Sequence, residues 1–204
     1  TYDVFDRRIE KSIDDDGPGA GSAVVEHYIY DYSDIILSFD GSDDLTNRYL
    51  HGPRVDQILA DEQVTSTISD GEVLWALTDH LGSIRDIVDS DGNVDNHIVY
   101  DSFGQIVSET DSTVDHILGF TGRERDEESD LQFNRARYYA ADVGRWISED
   151  PIGFSAGDTN LARYVLNAST TLIDPTGLDD TDRVYDFVEM SALVDLYHMY
   201  AQTH

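Results

Sequence analysis

Ile84-Arg85-Asp86-Ile87-Val88-Asp89-Ser90-Asp91-Gly92-Asn93-Val94-Asp95-Asn96-His97-Ile98-Val99-Tyr100, followed by Gln105-Ile106-Val107, decides the fold class. Short runs of β-branched and aromatic residues flank Asp91-Gly92, and an aspartate–glycine pair between such runs is a strong hairpin signal. The same grammar recurs upstream. His27-Tyr28-Ile29-Tyr30-Asp31 and Ile35-Ile36-Leu37-Ser38-Phe39 read as strands, the second ending at Asp40-Gly41, and Val73-Leu74-Trp75-Ala76-Leu77 follows Asp70-Gly71. Strand–turn–strand units at intervals of about ten residues imply a meandering antiparallel sheet or a β-solenoid. The chain reads as all-β.

Composition narrows the function. Across 204 residues the formal net charge is −29, and Lys11 is the one lysine among 13 basic residues. Phosphate contacts need a basic face, so neither nucleic acid nor an anionic membrane is an expected partner. The length suits one domain, or one domain with a tail, able to bury a real core. Cysteine is absent, which removes disulfides, zinc-thiolate sites and thiol nucleophiles. No apolar run approaches the ~18 residues of a membrane-spanning helix. The start, Thr1-Tyr2-Asp3-Val4-Phe5, lacks a signal-peptide pattern, so export information is expected elsewhere.

Metal and cofactor sites are not expected. Asp89, Asp91, Asn93 and Asp95 alternate as in a calcium loop, but Gly92 falls at the fourth position and Tyr100 at the twelfth. That pattern reads as a hairpin turn. The seven histidines show no paired ligand spacing, and no glycine-rich phosphate loop is present, so no small-molecule ligand is expected. Arg123, Arg125, Arg135, Arg137 and Arg145 are interleaved with Glu124, Asp126, Glu127, Glu128, Asp130 and Asp142, which reads as ion pairing.

One tetrad occurs twice, as Asp150-Pro151-Ile152-Gly153 and as Asp174-Pro175-Thr176-Gly177, the second followed by Leu178. Proline at the second position presets φ, aspartate at the first bonds nearby amides, and glycine at the fourth relieves crowding. Two matched turns therefore explain both tetrads. The alternative is a carboxylate pair, one acid and one base, able to activate water against a peptide bond. Nothing in the spacing alone brings the two turns together.

Several blocks carry a specific resemblance. Tyr100-Asp101-Ser102-Phe103-Gly104-Gln105-Ile106 is echoed by Tyr30-Asp31 and Tyr2-Asp3, and these resemble the YD repeats of the Rhs family. Thr78-Asp79-His80-Leu81-Gly82-Ser83-Ile84-Arg85, Phe120-Thr121-Gly122-Arg123, Asn134-Arg135-Ala136-Arg137-Tyr138-Tyr139 and Gly144-Arg145-Trp146-Ile147-Ser148-Glu149-Asp150-Pro151 resemble further signature segments of that family, in the same order. The resemblance covers roughly residues 2–178.

The resemblance implies a YD-repeat β-hairpin strip over 1–118, an Rhs-associated core over 119–178 and a variable tail over 179–204. It implies part of a β-shell that encloses a C-terminal toxin, with a core similar to an aspartic autoprotease. On that likeness Asp150 and Asp174 are the catalytic pair, Trp146 and Arg123 support them, and the Leu178–Asp179 bond is cut. The partners implied are the chain's own C-terminal segment or further YD repeats, outside the cell or on its surface. Between the tetrads the sequence departs from the family at Ala162, Leu166 and Ser169, and Leu166 stands where the family carries a glycine suited to positive φ.

The tail changes period. Tyr185, Val188, Ala192, Leu196 and Met199 fall on one helical stripe after a capping Asp180 or Thr181, predicting a short C-terminal helix. Three functions stay open at this level: a non-catalytic shell or cell-surface fragment, a self-cutting aspartyl protease, and an effector acting through residues 179–204.

Overall fold

Each strand of the first part of the chain pairs with the next, so order in space repeats order in sequence. The strands are β1 (Glu10–Ile13), β2 (Val24–Asp31), β3 (Asp34–Asp40), β4 (Leu45–His51), β5 (Ile58–Gln63), β6 (Glu72–Thr78), β7 (Ile84–Val88), β8 (Val94–Tyr100) and β9 (Ile106–Glu109). All neighbours are antiparallel, and the sheet stays open, with β1 and β9 at its edges. The computed structural model describes residues 1–5, 7–14, 17, 21, 23–53, 56–64 and 71–178, and the backbone of 182–183.

A single turn builds most of this meander. Asp40 ends β3, Asp79, Asp89 and Asp101 directly follow β6, β7 and β8, and the Oδ1 of each accepts the N–H groups two and four residues on at 2.8–3.0 Å. The fourth residue of each turn has positive φ: Gly82 (85°), Gly92 (85°), Gly104 (90°) and, without glycine's freedom, Asp43 (62°). In the calcium-like run, Asp89 caps its own turn through the amides of Asp91 and Asn93. The register slips by one residue just before each of these aspartates, a bulge that adds twist and curves the strip.

One apolar cluster packs against the sheet. Ile58, Leu74, Ala76, Ile84, Ile87, Ile98 and Leu118 form its buried core. Downstream, a four-stranded antiparallel sheet follows: β10 (Glu124–Asp126), β11 (Leu131–Asn134), β12 (Arg137–Ala140) and β13 (Arg145–Trp146). Leu81, Phe120, Tyr139, Trp146, Tyr164 and Val165 make the second core, into which the β6–β7 turn inserts Leu81. Long-range pairs lock sheet to sheet. Arg8 donates to both oxygens of Asp126 at 2.7 and 2.9 Å, and Thr121 donates its amide to Ser83 Oγ at 3.0 Å.

The hairpin signals locate β2, β3, β6, β7, β8 and β9, while β1, β4, β5 and the small sheet carry no such signal. Leu166 adopts φ 56°, so the left-handed backbone expected of a glycine is kept by a branched residue. Its neighbours Val165 and Asn167 are left-handed too, at 37° and 61°. At the tail, β15 (Asp182–Arg183) pairs with β14 (Leu172–Ile173), so two residues beyond the second tetrad are extended where a helix was expected. Returning beside the β-branched Ile173 satisfies backbone groups that a free helix start would leave unpaired. The rest of the expected helix lies outside the described residues.

One strand buries a charge. Asp61 on β5 is 2% exposed and accepts from Asn47 Nδ2 at 2.8 Å. Burial pushes its carboxyl up to about 6 from an ordinary 3.8. The folded form thus holds its proton more tightly than the unfolded chain, so stability falls as pH rises from about 4 to 6 and stays lower above. Asp61→Asn is expected to stabilise the fold at pH 7 by roughly 2–3 kcal/mol, with the gain vanishing near pH 4. Thermal melts of both proteins at the two pH values check this; equal gains at both would contradict it.

Candidate functional site

Asn134 ends β11 and Arg137 begins β12, and the turn between them needs a left-handed residue. Arg135 supplies it at φ 57°. This turn clasps the second tetrad, carbonyl by carbonyl. Asn134 Nδ2 donates to Asp174 O at 2.7 Å, Arg123 Nη1 and Arg135 Nη1 both donate to Pro175 O at 3.0 and 3.1 Å, and the Ala136 amide donates to Thr176 O at 3.1 Å. Arg137 Nε donates to Gly177 O. Gln132 orients Asn134 through a 3.0 Å bond between their amides.

Inside the tetrad the Asp174 carboxylate faces two ways. Its Oδ1 accepts the amides of Thr176 (3.2 Å), Gly177 (2.8 Å) and Leu178 (3.3 Å) and the Thr176 hydroxyl (3.2 Å). Its Oδ2 lies 3.4 Å from Arg137 Nη2. That same nitrogen lies 2.9 Å from Asp150 Oδ2. One guanidinium therefore joins the two carboxylates expected to act together. All three side chains are buried, at 2% exposure for Arg137, 5% for Asp150 and 0% for Asp174.

The first tetrad is held from the other side. Asp150 donates its amide to Leu161 O at 3.0 Å, and its Oδ1 caps the Ile152 amide at 2.9 Å. Arg163 pairs with Asp158 through two contacts of 2.6 and 2.7 Å, fixing the loop that presents Leu161. Arg137 Nη1 also donates to Leu161 O at 3.2 Å. Trp146 lies under the guanidinium, with 4.2 Å from Arg137 Cζ to the ring centroid. Tyr139 and Tyr164 pack against the indole, and burial pushes the Tyr164 phenol up to about 12.

The expected site residues divide as follows. Asp150 and Asp174 meet at Arg137, and Trp146 supports that arginine rather than an aspartate. Arg123 sits on the opposite flank, paired with Asp56 and with Pro175 O; burial lowers its guanidinium below the ordinary value against the opposing charge of Asp56. Leu178 reaches Asp174 through its amide, while Asp179 lies outside the described residues. Among the arginines read as paired with interleaved acids, Arg125 does pair with Asp130 at 2.8 Å. Arg123, Arg135 and Arg137 instead take distant acids, so Arg137 and Asp56 escape a local reading.

Both tetrads border a cavity of about 1120 Å³, with Pro151, Ile152, Thr176 and Leu178 in its wall beside Arg137 and Tyr138. The cavity has room for water and an extended chain, while Asp150 and Asp174 are not among its lining residues and reach it through Arg137 and the turns that follow them. Two carboxylates on one buried cation, beside a peptide tethered to one of them, can support proton transfer to and from a peptide bond.

An open antiparallel strip with aspartate-capped turns, sealed by a small arginine-bridged core, defines a YD-repeat shell protein. The chain belongs to the Teneurin YD-shell family, whose model matches residues 55–170. Toxin protein Tse5 of Pseudomonas aeruginosa is 36% identical over 57% of this chain and 9% of its own length. Probable deoxyribonuclease RhsB of Dickeya dadantii is 30% identical over 87% of this chain and 12% of its own length. The chain thus spans about a tenth of these relatives. The crystal structure of TcdB2-TccC3 without its hypervariable C-terminal region has a TM-score of 0.65 at 22% identity, covering 87% of this chain and 9% of that one. That likeness is one of fold. Among the described residues no helix is long and apolar enough to cross a membrane.

Proposed function

We propose that this chain closes a larger exported toxin shell and cuts itself between Leu178 and Asp179. The shell's other YD repeats would pair along the edge of β1 past Glu10, whose backbone groups Thr1 already takes, and the segment after Leu178 would be the part released. One observation carries the protease reading: Asp150 and Asp174 share Arg137 Nη2, while Asp174 also holds the Leu178 amide. In the cut, water adds its hydroxyl to the Leu178 carbonyl carbon and a proton to the Asp179 nitrogen as the C–N bond breaks. One carboxyl takes the water's proton and the other supplies the proton to the amine.

A second reading has its own support. Every carbonyl from Asp174 to Gly177 accepts a bond from the core, so the same arrangement serves as a staple with no chemistry. Intact mass spectrometry of purified protein separates the two. The protease reading expects a 1–178 product from wild type and an uncut chain from Asp150→Asn and from Asp174→Asn. An uncut wild type would leave the staple alone standing.

A further inference from the structure

Asp56 joins the shell strip to the site, and it lies 94 positions before Asp150 in the loop between β4 and β5. Its backbone is left-handed at φ 50°, as are Thr121 (53°) and Arg135 (57°) around the same turn. Aspartate adopts that conformation readily, whereas threonine and arginine hold it where their surroundings impose it, and such strain gathers at functional sites. Both Asp56 oxygens accept from Arg135 Nη2, at 2.7 and 2.8 Å, and Arg123 pairs with the same carboxylate. The loop itself rests on the core: a Cβ on Gly122 would lie 3.4 Å from Asp56 O.

The charge arrangement makes this carboxylate necessary. Arg123 and Arg135 both aim at Pro175 O, and Arg123 is 5% exposed. Two cations converging on one buried carbonyl repel strongly unless an anion lies between them. We propose that Asp56 is a positioning residue for self-cutting: it holds the two guanidiniums on Pro175 O and thereby sets the second tetrad against Asp150. This rests on the protease reading above. Because Asp56 comes from the strip, the site is completed only when the strip has folded onto the core.

Two measurements test the clamp. In an uncut Asp150→Asn background, adding Asp56→Asn should selectively accelerate amide exchange at Thr176, Gly177 and Leu178 while β6–β8 stay protected. Adding Arg135→Gln to that protein should restore part of the protection by removing the unbalanced cation. Unchanged exchange, a loss spread evenly over the sheet, or no rescue would overturn the clamp. In the chain with Asp150 intact, Asp56→Asn should slow appearance of the 1–178 product on the order of 100-fold, the usual consequence of misplacing a reacting group by about 1 Å. Asp56→Glu should recover part of that rate. Cutting at the wild-type rate in Asp56→Asn would overturn the positioning role. An uncut wild type would end the protease reading, and the exchange result would still decide the clamp.

Discussion

Arg137→Met is expected to lower stability by about 3–5 kcal/mol and to leave the chain uncut. Methionine keeps an apolar stem of similar reach over Trp146 but removes the cation shared by Asp150 and Asp174. Breaking a buried ion pair on one side costs this much because the remaining charge loses its compensation without regaining water. Here two carboxylates are stranded, at 5% and 0% exposure, and Gly177 O and Leu161 O lose a donor as well. Denaturant unfolding at pH 7 measures the loss. Arg137→Lys should fall between wild type and Arg137→Met. Lysine keeps the charge, but a point charge cannot span two carboxylates and two carbonyls as a planar fork does. A stable, cut Arg137→Met protein would remove this arginine from the centre of the site.

The strip was readable because its instructions are local. An aspartate, a following glycine and flanking β-branched residues act within five positions, and Asp89 with Gly92 or Asp101 with Gly104 complete their turn without distant help. Strands β4 and β5 lack that cue: Leu-Thr-Asn-Arg-Tyr-Leu-His leaves Leu50 at 54% exposure, and β5 buries Asp61. The two tetrads were legible as a pair, since the motif repeats. Their bridge was not. Arg137 stands among interleaved acids that suggest neighbouring partners, yet it reaches across 13 and 37 positions to Asp150 and Asp174. No periodicity encodes such a contact; the turn at Arg135 and the packing on Trp146 create it.

Repetition in sequence also conceals a difference that substitution should expose. Gly153 and Gly177 occupy the same fourth position, with φ of 59° and 72°. A Cβ on Gly153 meets nothing within 4 Å. Gly153→Ala therefore carries only the left-handed backbone cost, roughly 1–2 kcal/mol. A Cβ on Gly177 would lie 2.5 Å from Asn134 O and 3.0 Å from Arg137 N. Both are backbone atoms of the clasping turn and cannot swing aside. Gly177→Ala must push the tetrad off that turn, breaking the bonds to Thr176 O and Gly177 O and withdrawing Asp174 Oδ2 from Arg137. Its expected cost is about 4 kcal/mol or more, the backbone term plus at least two buried hydrogen bonds. Self-cutting should be lost with it, whereas Gly153→Ala should still yield the 1–178 product. Equal melting temperatures for the two variants would mean that the tetrads are interchangeable turns, and the close approach of Gly177 to β12 would then have no bearing on the site.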